Sequence, residues 1–268
     1  MLRHHRRPLE RTRPVELSCC AWALTGPEKD TLNTLADIGF NSIDIQAKTF
    51  QNSDAQSQIK DLGLALSCLA MSFNMHDGAA LDSTSPAGRQ TALDHCRAAL
   101  DQAAGLNIKT TYVVPGEDPA GLPHFSETML QVADYAAERG IRVGIEHFPG
   151  KALPTAAGTL EYLADLGHDN LYLLLDTGHL QMSKEDPAAI IAAAGDRLTY
   201  VHLDDNDGDG DLHWSLLDGV LTEAALSAIF SALGPSPYTG PASLELNPNL
   251  PDPTAALAES RDITLKYL

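Results

Sequence analysis

LYLLLDTGHL, residues 171–180, places five apolar or aromatic residues in a row, then an aspartate, then a Thr-Gly pair leading to His179. A run this short, with no polar residue to face water, predicts a strand covered on both faces, as in a parallel sheet. Similar short runs recur from end to end. They are VELSCCAWAL (15–24), NSIDIQA (41–47), LALSCLAMSF (64–73), IKTTYVVPG (108–116), RVGIEHF (142–148), TYVHLD (199–204) and ASLELN (242–247). Between them lie segments such as SPAGRQTALDHCRAALDQAAGL and FSETMLQVADYAAERG, whose apolar residues return every three or four positions. Several begin at Pro, Ser or Asp and stop at Gly, as helices do.

Eight strand–helix units in 268 residues predict a single (β/α)8 barrel over residues 15–268. The alternative is a doubly wound open sheet. Two features favour the barrel. No strand runs into a Gly-rich phosphate loop, and polar residues gather at the carboxyl ends of many strands rather than at one switch point.

Composition narrows the partners. The formal charge is −18, and the opening MLRHHRRPLERTRP holds five Arg against one Glu, so the rest of the chain carries −22. Such a surface opposes nucleic-acid binding, which depends on Lys and Arg neutralising phosphates. The opening fourteen residues lack the apolar core of a secretory signal and are expected to form a basic, disordered head. No stretch approaches the ~18 apolar residues of a membrane span. Cys19, Cys20, Cys68 and Cys96 form no CxxC pair, which fits a reducing, cytoplasmic setting.

The last four predicted strands each end in a potential metal ligand: Glu146 in GIEHFPG, Asp176 in LLLDTGHL, His202 in VHLDDND and Glu245 in SLELNP. Each of these residues alone has an ordinary explanation, such as an ion pair, a helix cap or a core histidine. Together they converge at one end of a barrel, where four ionisable groups cost several kcal/mol each unless they pair or bind a cation. Three carboxylates and an imidazole suit Mn²⁺, Mg²⁺, Co²⁺ or Zn²⁺, with no thiolate to impose a soft metal.

GIEHFPG, LLLDTGHL, VHLDDNDGDGDLHWSLLDG and SLELNP resemble the sugar phosphate isomerase/epimerase family, whose members are xylose isomerase-like TIM barrels. The resemblance runs over essentially the whole chain beyond residue 14. It implies one divalent metal on Glu146, Asp176, His202 and Glu245, with His179 contacting substrate or standing just behind the ligands. It also implies the chemistry. The metal polarises a ketose or keto-polyol carbonyl and stabilises an enediolate while a neighbouring proton leaves, with Glu146 and Glu245 as base and acid. His76, His213 and Trp22 are further candidates to line a sugar or polyol site, and Lys151 a weaker one for an anionic group.

Two departures from the family pattern stand out. The chain reads HWSLLDG where a G-x-G element is common, and it lacks the arginine that ketose 3-epimerases carry soon after the strand-seven histidine. The resemblance therefore leaves other readings. A lyase of the keto-inositol or dehydroshikimate dehydratase type comes next, and a non-catalytic binding barrel is a third reading. An AP-endonuclease-like nuclease is disfavoured because YVVPG ends strand four without a ligand. A homo-oligomer is left open.

Overall fold

The computed structural model describes residues 15–268, so the expected basic head lies outside the described residues. The strands are β1 (Leu17–Cys19), β2 (Ser42–Gln46), β3 (Ala65–Ala70), β4 (Thr110–Val113), β5 (Arg142–Glu146), β6 (Leu171–Asp176), β7 (Leu198–Leu203) and β8 (Ala242–Leu244). The α-helices alternate with them: α1 (Glu28–Ile38), α2 (Ser53–Asp61), α3 (Pro86–Gly105), α4 (Leu122–Ala137), α5 (Ala156–Leu166), α6 (Thr177–Ser183), α7 (Pro187–Ala194), α8 (Glu223–Leu233) and α9 (Pro253–Thr264).

Helix boundaries follow local chemistry. Asn52, Ser85, Thr155, Asp176, Asp186, Thr222 and Asp252 each accept a hydrogen bond from a first-turn N–H of the helix they precede. Proline occupies the first turn of α3, α7 and α9, where no backbone N–H is needed. Gly39 ends α1 at φ 100°, a conformation that side chains resist, and the Arg261 guanidinium packs where a Cβ would stand.

All the strand pairings are parallel, in the order β1-β8-β7-β6-β5-β4-β3-β2. The remaining seam, between β1 and β2, is closed by one isolated bridge, Cys20 to Asp44. The cylinder is the expected barrel. Its main apolar core lies between strands and helices, and a second group fills the interior: Cys68, Ala70, Tyr112, Leu174 and Tyr200, with Trp22, Phe73 and Val114 packed against it. The strands are shorter at the mouth than the apolar runs suggested. β1 gives way after Cys19 to a 3-10 turn, Ala21–Ala23, and β8 stops at Leu244 although Glu245 N–H still reaches Leu203 O at 3.1 Å. At this end the backbone leaves the ladder to build loops, so apolar composition outlasts strand pairing. No described helix is long and apolar enough to cross a membrane.

Candidate metal centre and active site

Glu146 and Asp176 end β5 and β6, His202 is the penultimate residue of β7 and Glu245 follows β8, so four neighbouring strands present them at the carboxyl mouth of the barrel. One potential ligand atom from each lies within 4.8 Å of all the others, and all four residues are buried. His202 is central. Its Nδ1 lies 2.6 Å from Glu245 Oε2, 3.5 Å from Glu146 Oε1 and 4.0 Å from Asp176 Oδ2. Proximity here is not hydrogen bonding: His202 Nδ1 and Asp176 Oδ2 are buried without an aligned partner. Unpartnered buried ligand atoms crowded at inter-ligand spacing fit a cation site. The mixed oxygen and nitrogen set fits a divalent metal of the Mn²⁺, Mg²⁺, Co²⁺ or Zn²⁺ kind.

Asp176 reconciles two readings of its sequence position. One oxygen, Oδ1, caps α6 by accepting His179 N–H at 2.8 Å, while Oδ2 faces the cluster. Gly178 explains the glycine of D-x-G-H. Its N–H donates to Asp204 Oδ1 at 2.7 Å, and a Cβ there would stand 2.7 Å from that oxygen and 2.8 Å from Cγ. Asp204 is fixed further by Thr177 Oγ1, which donates to it at 3.1 Å.

A second line of polar groups abuts the first. His179 Nδ1 stands 3.6 Å from Asp176 and 3.8 Å from Glu146, and its Nε2 is 3.3 Å from Asp211 Oδ1. The same Asp211 oxygen is 2.9 Å from His213 Nε2, and His213 Nδ1 is 3.1 Å from Asp204 Oδ2. His179, Asp211 and His213, like Asp176, Asp204 and His213, also have ligand-like spacing. The acidic segment DDNDGDGD supplies this line because its first residues are buried and structural rather than solvated. Asp205 accepts the N–H groups of Asn206, Gly219 and Leu221 and so ties down the loop that carries His213 at φ 47°.

These surroundings move the titrations. Burial and the charge of Asp204 lift the Asp176 carboxyl to about 8. Burial alone would neutralise His179, yet Asp176, Asp211 and Glu146 outweigh it and raise the ring to about 10. The same contest, won by Glu245 and Glu146, carries His202 well above its ordinary value. Glu245 is held down at about 2: burial resists its ionisation, but His202 and the Trp22 indole stabilise the anion. Burial and His179 keep His147 neutral, and its Nε2 accepts Asp176 N–H at 3.3 Å.

Trp22 was expected as an apolar wall, and it is also a donor: its Nε1–H reaches Glu245 Oε1 at 2.8 Å. Its ring stacks on Phe73, which meets Tyr112, and Tyr112 and Tyr200 flank the His202 ring edge-on. Phe148 packs against His179 with ring centroids 4.0 Å apart. His76 is not brought in: it sits exposed in the turn after β3. Lys151 is engaged by Glu117 at 3.2 Å. Sequence reasoning missed Asp44, Asp204, His147 and Tyr200, and noted Asp211 only as the Asp of a D-x-H element with His213. Asp44 did leave a signal, as the one charged residue in the otherwise inward-packed SIDIQ strand.

Known proteins share this architecture. An L-ribulose 3-epimerase of Methylomonas sp. strain DH-1 is 32% identical over 120 residues, 44% of this chain and 39% of the relative. An inosose dehydratase of Erwinia tasmaniensis is 37% identical over 94 residues, 31% of each. Those matches thus span well under half the relatives' own length. The crystal structure of a D-allulose 3-epimerase from Methylomonas sp., in complex with D-allulose, superposes with a TM-score of 0.79 at 20% identity, covering 95% of this chain and 98% of that one. A family model described as xylose isomerase-like TIM barrel matches residues 32–267. With that match over nearly all of the described barrel, this chain belongs to the xylose isomerase-like TIM barrel family.

Proposed function

We propose that this protein is a divalent-metal-dependent isomerase or epimerase of ketoses or keto-polyols, with Glu146, Asp176, His202 and Glu245 as the metal ligands. The convergence of four buried ligand residues from successive strands, with Asp176 Oδ2 and His202 Nδ1 left unpartnered, carries this reading. A bound metal, with Mn²⁺ the first candidate, would polarise the substrate carbonyl and make the adjacent C–H more acidic. Glu146 and Glu245 come from the two ends of the four-strand arc, which suits them to remove and return a proton on either side of a substrate between them. Trp22 fixes the Glu245 carboxylate by its 2.8 Å bond and, with Phe73, offers a flat apolar face to a sugar ring. His179 and His213 are placed to bind substrate hydroxyls. The strongly acidic composition supports a small neutral substrate over nucleic acid, and four buried free cysteines support a reducing compartment such as the cytoplasm.

A lyase on the same site is the second reading. The local match to an inosose dehydratase favours it, as does a His179 ring raised to about 10, which would arrive protonated and able to help a hydroxyl leave. Elemental analysis of the wild type beside His202→Ala tests the metal site: about one ion per chain, lost in the variant, is expected. Solvent deuterium uptake into ketoses then separates epimerisation from water loss in keto-inositols. Glu245→Gln is expected to keep the fold and metal-free spectra while lowering turnover by about 10²–10⁴-fold, the usual worth of a positioned acid or base. Unchanged turnover would remove Glu245 from that role.

A further inference from the structure

Beneath the ligand cluster, inside the cylinder, lies a carboxylate that none of the proposed chemistry uses. Asp44, on β2, is 0% exposed, and His202 is its one cationic partner within 4.0 Å among the described residues. A lone buried carboxylate is costly unless donors surround it. Its Oδ1 is surrounded: Ser67 Oγ donates at 2.5 Å, Ser18 Oγ at 3.3 Å, and the Tyr200 hydroxyl donates as well. Its Oδ2 is not. That oxygen meets the weak donor Cys20 Sγ at 3.6 Å and His202 Nε2 at 3.8 Å; the Ser243 hydroxyl is a further donor to the carboxylate, and the same Nε2 lies 4.0 Å from Cys20 Sγ. The opposite nitrogen of the same ring, Nδ1, points at Glu146, Asp176 and Glu245.

We propose that Asp44 is a positioning residue which holds the hydrogen of His202 on Nε2 and thereby leaves Nδ1 free as the metal-binding nitrogen. This rests on the metal reading above and specifies how the protein prepares its one imidazole ligand. Neutral imidazole carries one ring hydrogen, so a carboxylate facing Nε2 selects the tautomer whose lone pair is on Nδ1. The three hydroxyl donors on Oδ1 keep the other oxygen aimed at the ring. A ring movement of about 0.8 Å brings Nε2 to ordinary hydrogen-bond length of ~3.0 Å. An outer carboxylate of this kind also strengthens the imidazole as a donor, and losing one weakens metal binding by about 10–100-fold.

Two measurements test this. In ¹⁵N-histidine-labelled wild-type protein loaded with Zn²⁺, long-range ¹H–¹⁵N correlation should show His202, assigned by its absence in His202→Ala, with hydrogen on Nε2 and the metal-shifted nitrogen at Nδ1. Calorimetric titration with Mn²⁺ should show Asp44→Asn binding 10–100-fold more weakly than wild type. The amide NH₂ can turn toward Nε2, favouring the tautomer that blocks Nδ1. A purely structural Asp44 would lower the unfolding midpoint without moving either readout. Metal on Nε2, or an Asp44→Asn affinity within threefold of wild type, overturns the assignment. If Asp44→Asn does not fold, the wild-type spectrum alone decides. A wild type that takes up no Zn²⁺ or Mn²⁺ overturns the metal reading and this role with it, whereas a metal-loaded wild type with the opposite tautomer overturns only the role of Asp44.

Discussion

Raising the pH from 6 to 7 is expected to tighten Mn²⁺ binding about 100-fold, because two ligands must each give up a proton. In the metal-free protein Asp176 titrates at about 8, and His202 well above its ordinary value. Both are therefore protonated near neutrality, and both must be deprotonated to ligate. Glu245, at about 2, has no proton left to lose. Each released proton contributes a factor of ten per pH unit, about 1.4 kcal/mol, so two give a slope of two in log K. Above pH 8 the Asp176 proton is gone without metal, and the slope should fall to one. Calorimetry at each pH in buffers of different ionisation heat counts the protons directly. Release of one proton or fewer between pH 6 and 7 would refute the reasoning, since it would mean that Asp176 and His202 are not both protonated in the free site.

Three other outcomes follow from particular contacts. Gly178→Ala should destabilise the fold by about 1–3 kcal/mol, read from denaturant midpoints, because its Cβ would press on the fixed Asp204 carboxylate. Trp22→Phe keeps the apolar face but deletes the Nε1–H bond to Glu245; a bond to a charged group is worth about 1.5–3 kcal/mol of stability, so the denaturant midpoint should fall accordingly, and turnover, measured where the variant is folded, should fall as well. In metal-free protein the folded His179 titrates at about 10 against 6.5 unfolded, a raised value. Its stabilisation is complete below pH 6.5 and lost as pH climbs through 10, so the melting temperature should decline between pH 7 and 10.

The barrel and its four candidate ligands were legible because both rest on repetition: eight apolar runs, then a polar residue at the end of each of four successive strands. Element ends were less so. The ladder at β1 and β8 stops before the apolar run does, since residues such as Leu246 are buried by loops rather than by strand pairing. The line His179–Asp211–His213–Asp204 was half visible. His179 and His213 drew notice as histidines, but Asp204 is one of five aspartates in the run DDNDGDGD, and nothing in that composition sets it apart. The hydrogen bonds of Asp205 to three loop N–H groups, with those of Asp204 and Asn206 to Gly178, show why the run folds inward. Trp22 shows a different limit: an aromatic side chain has an apolar face and a polar edge, and sequence does not say which one faces the site.

The pairing of β1 with β8 joins residues more than two hundred positions apart, Leu17 with Ala242 and Cys19 with Leu244. Glu245 is the very next residue, and it supplies both the partner of Trp22 and the last of the four metal-site donors. During synthesis from the amino end, β1 waits for its neighbour until almost the whole barrel has left the ribosome, and loop closure over such a separation is slow. A nascent chain that has β5, β6 and β7 but lacks β8 holds three donors on an open sheet and has no complete cation cage. Competence to load metal therefore reports that the cylinder has shut, and a chain stalled short of β8 would be exposed at both sheet edges with its ion unclaimed.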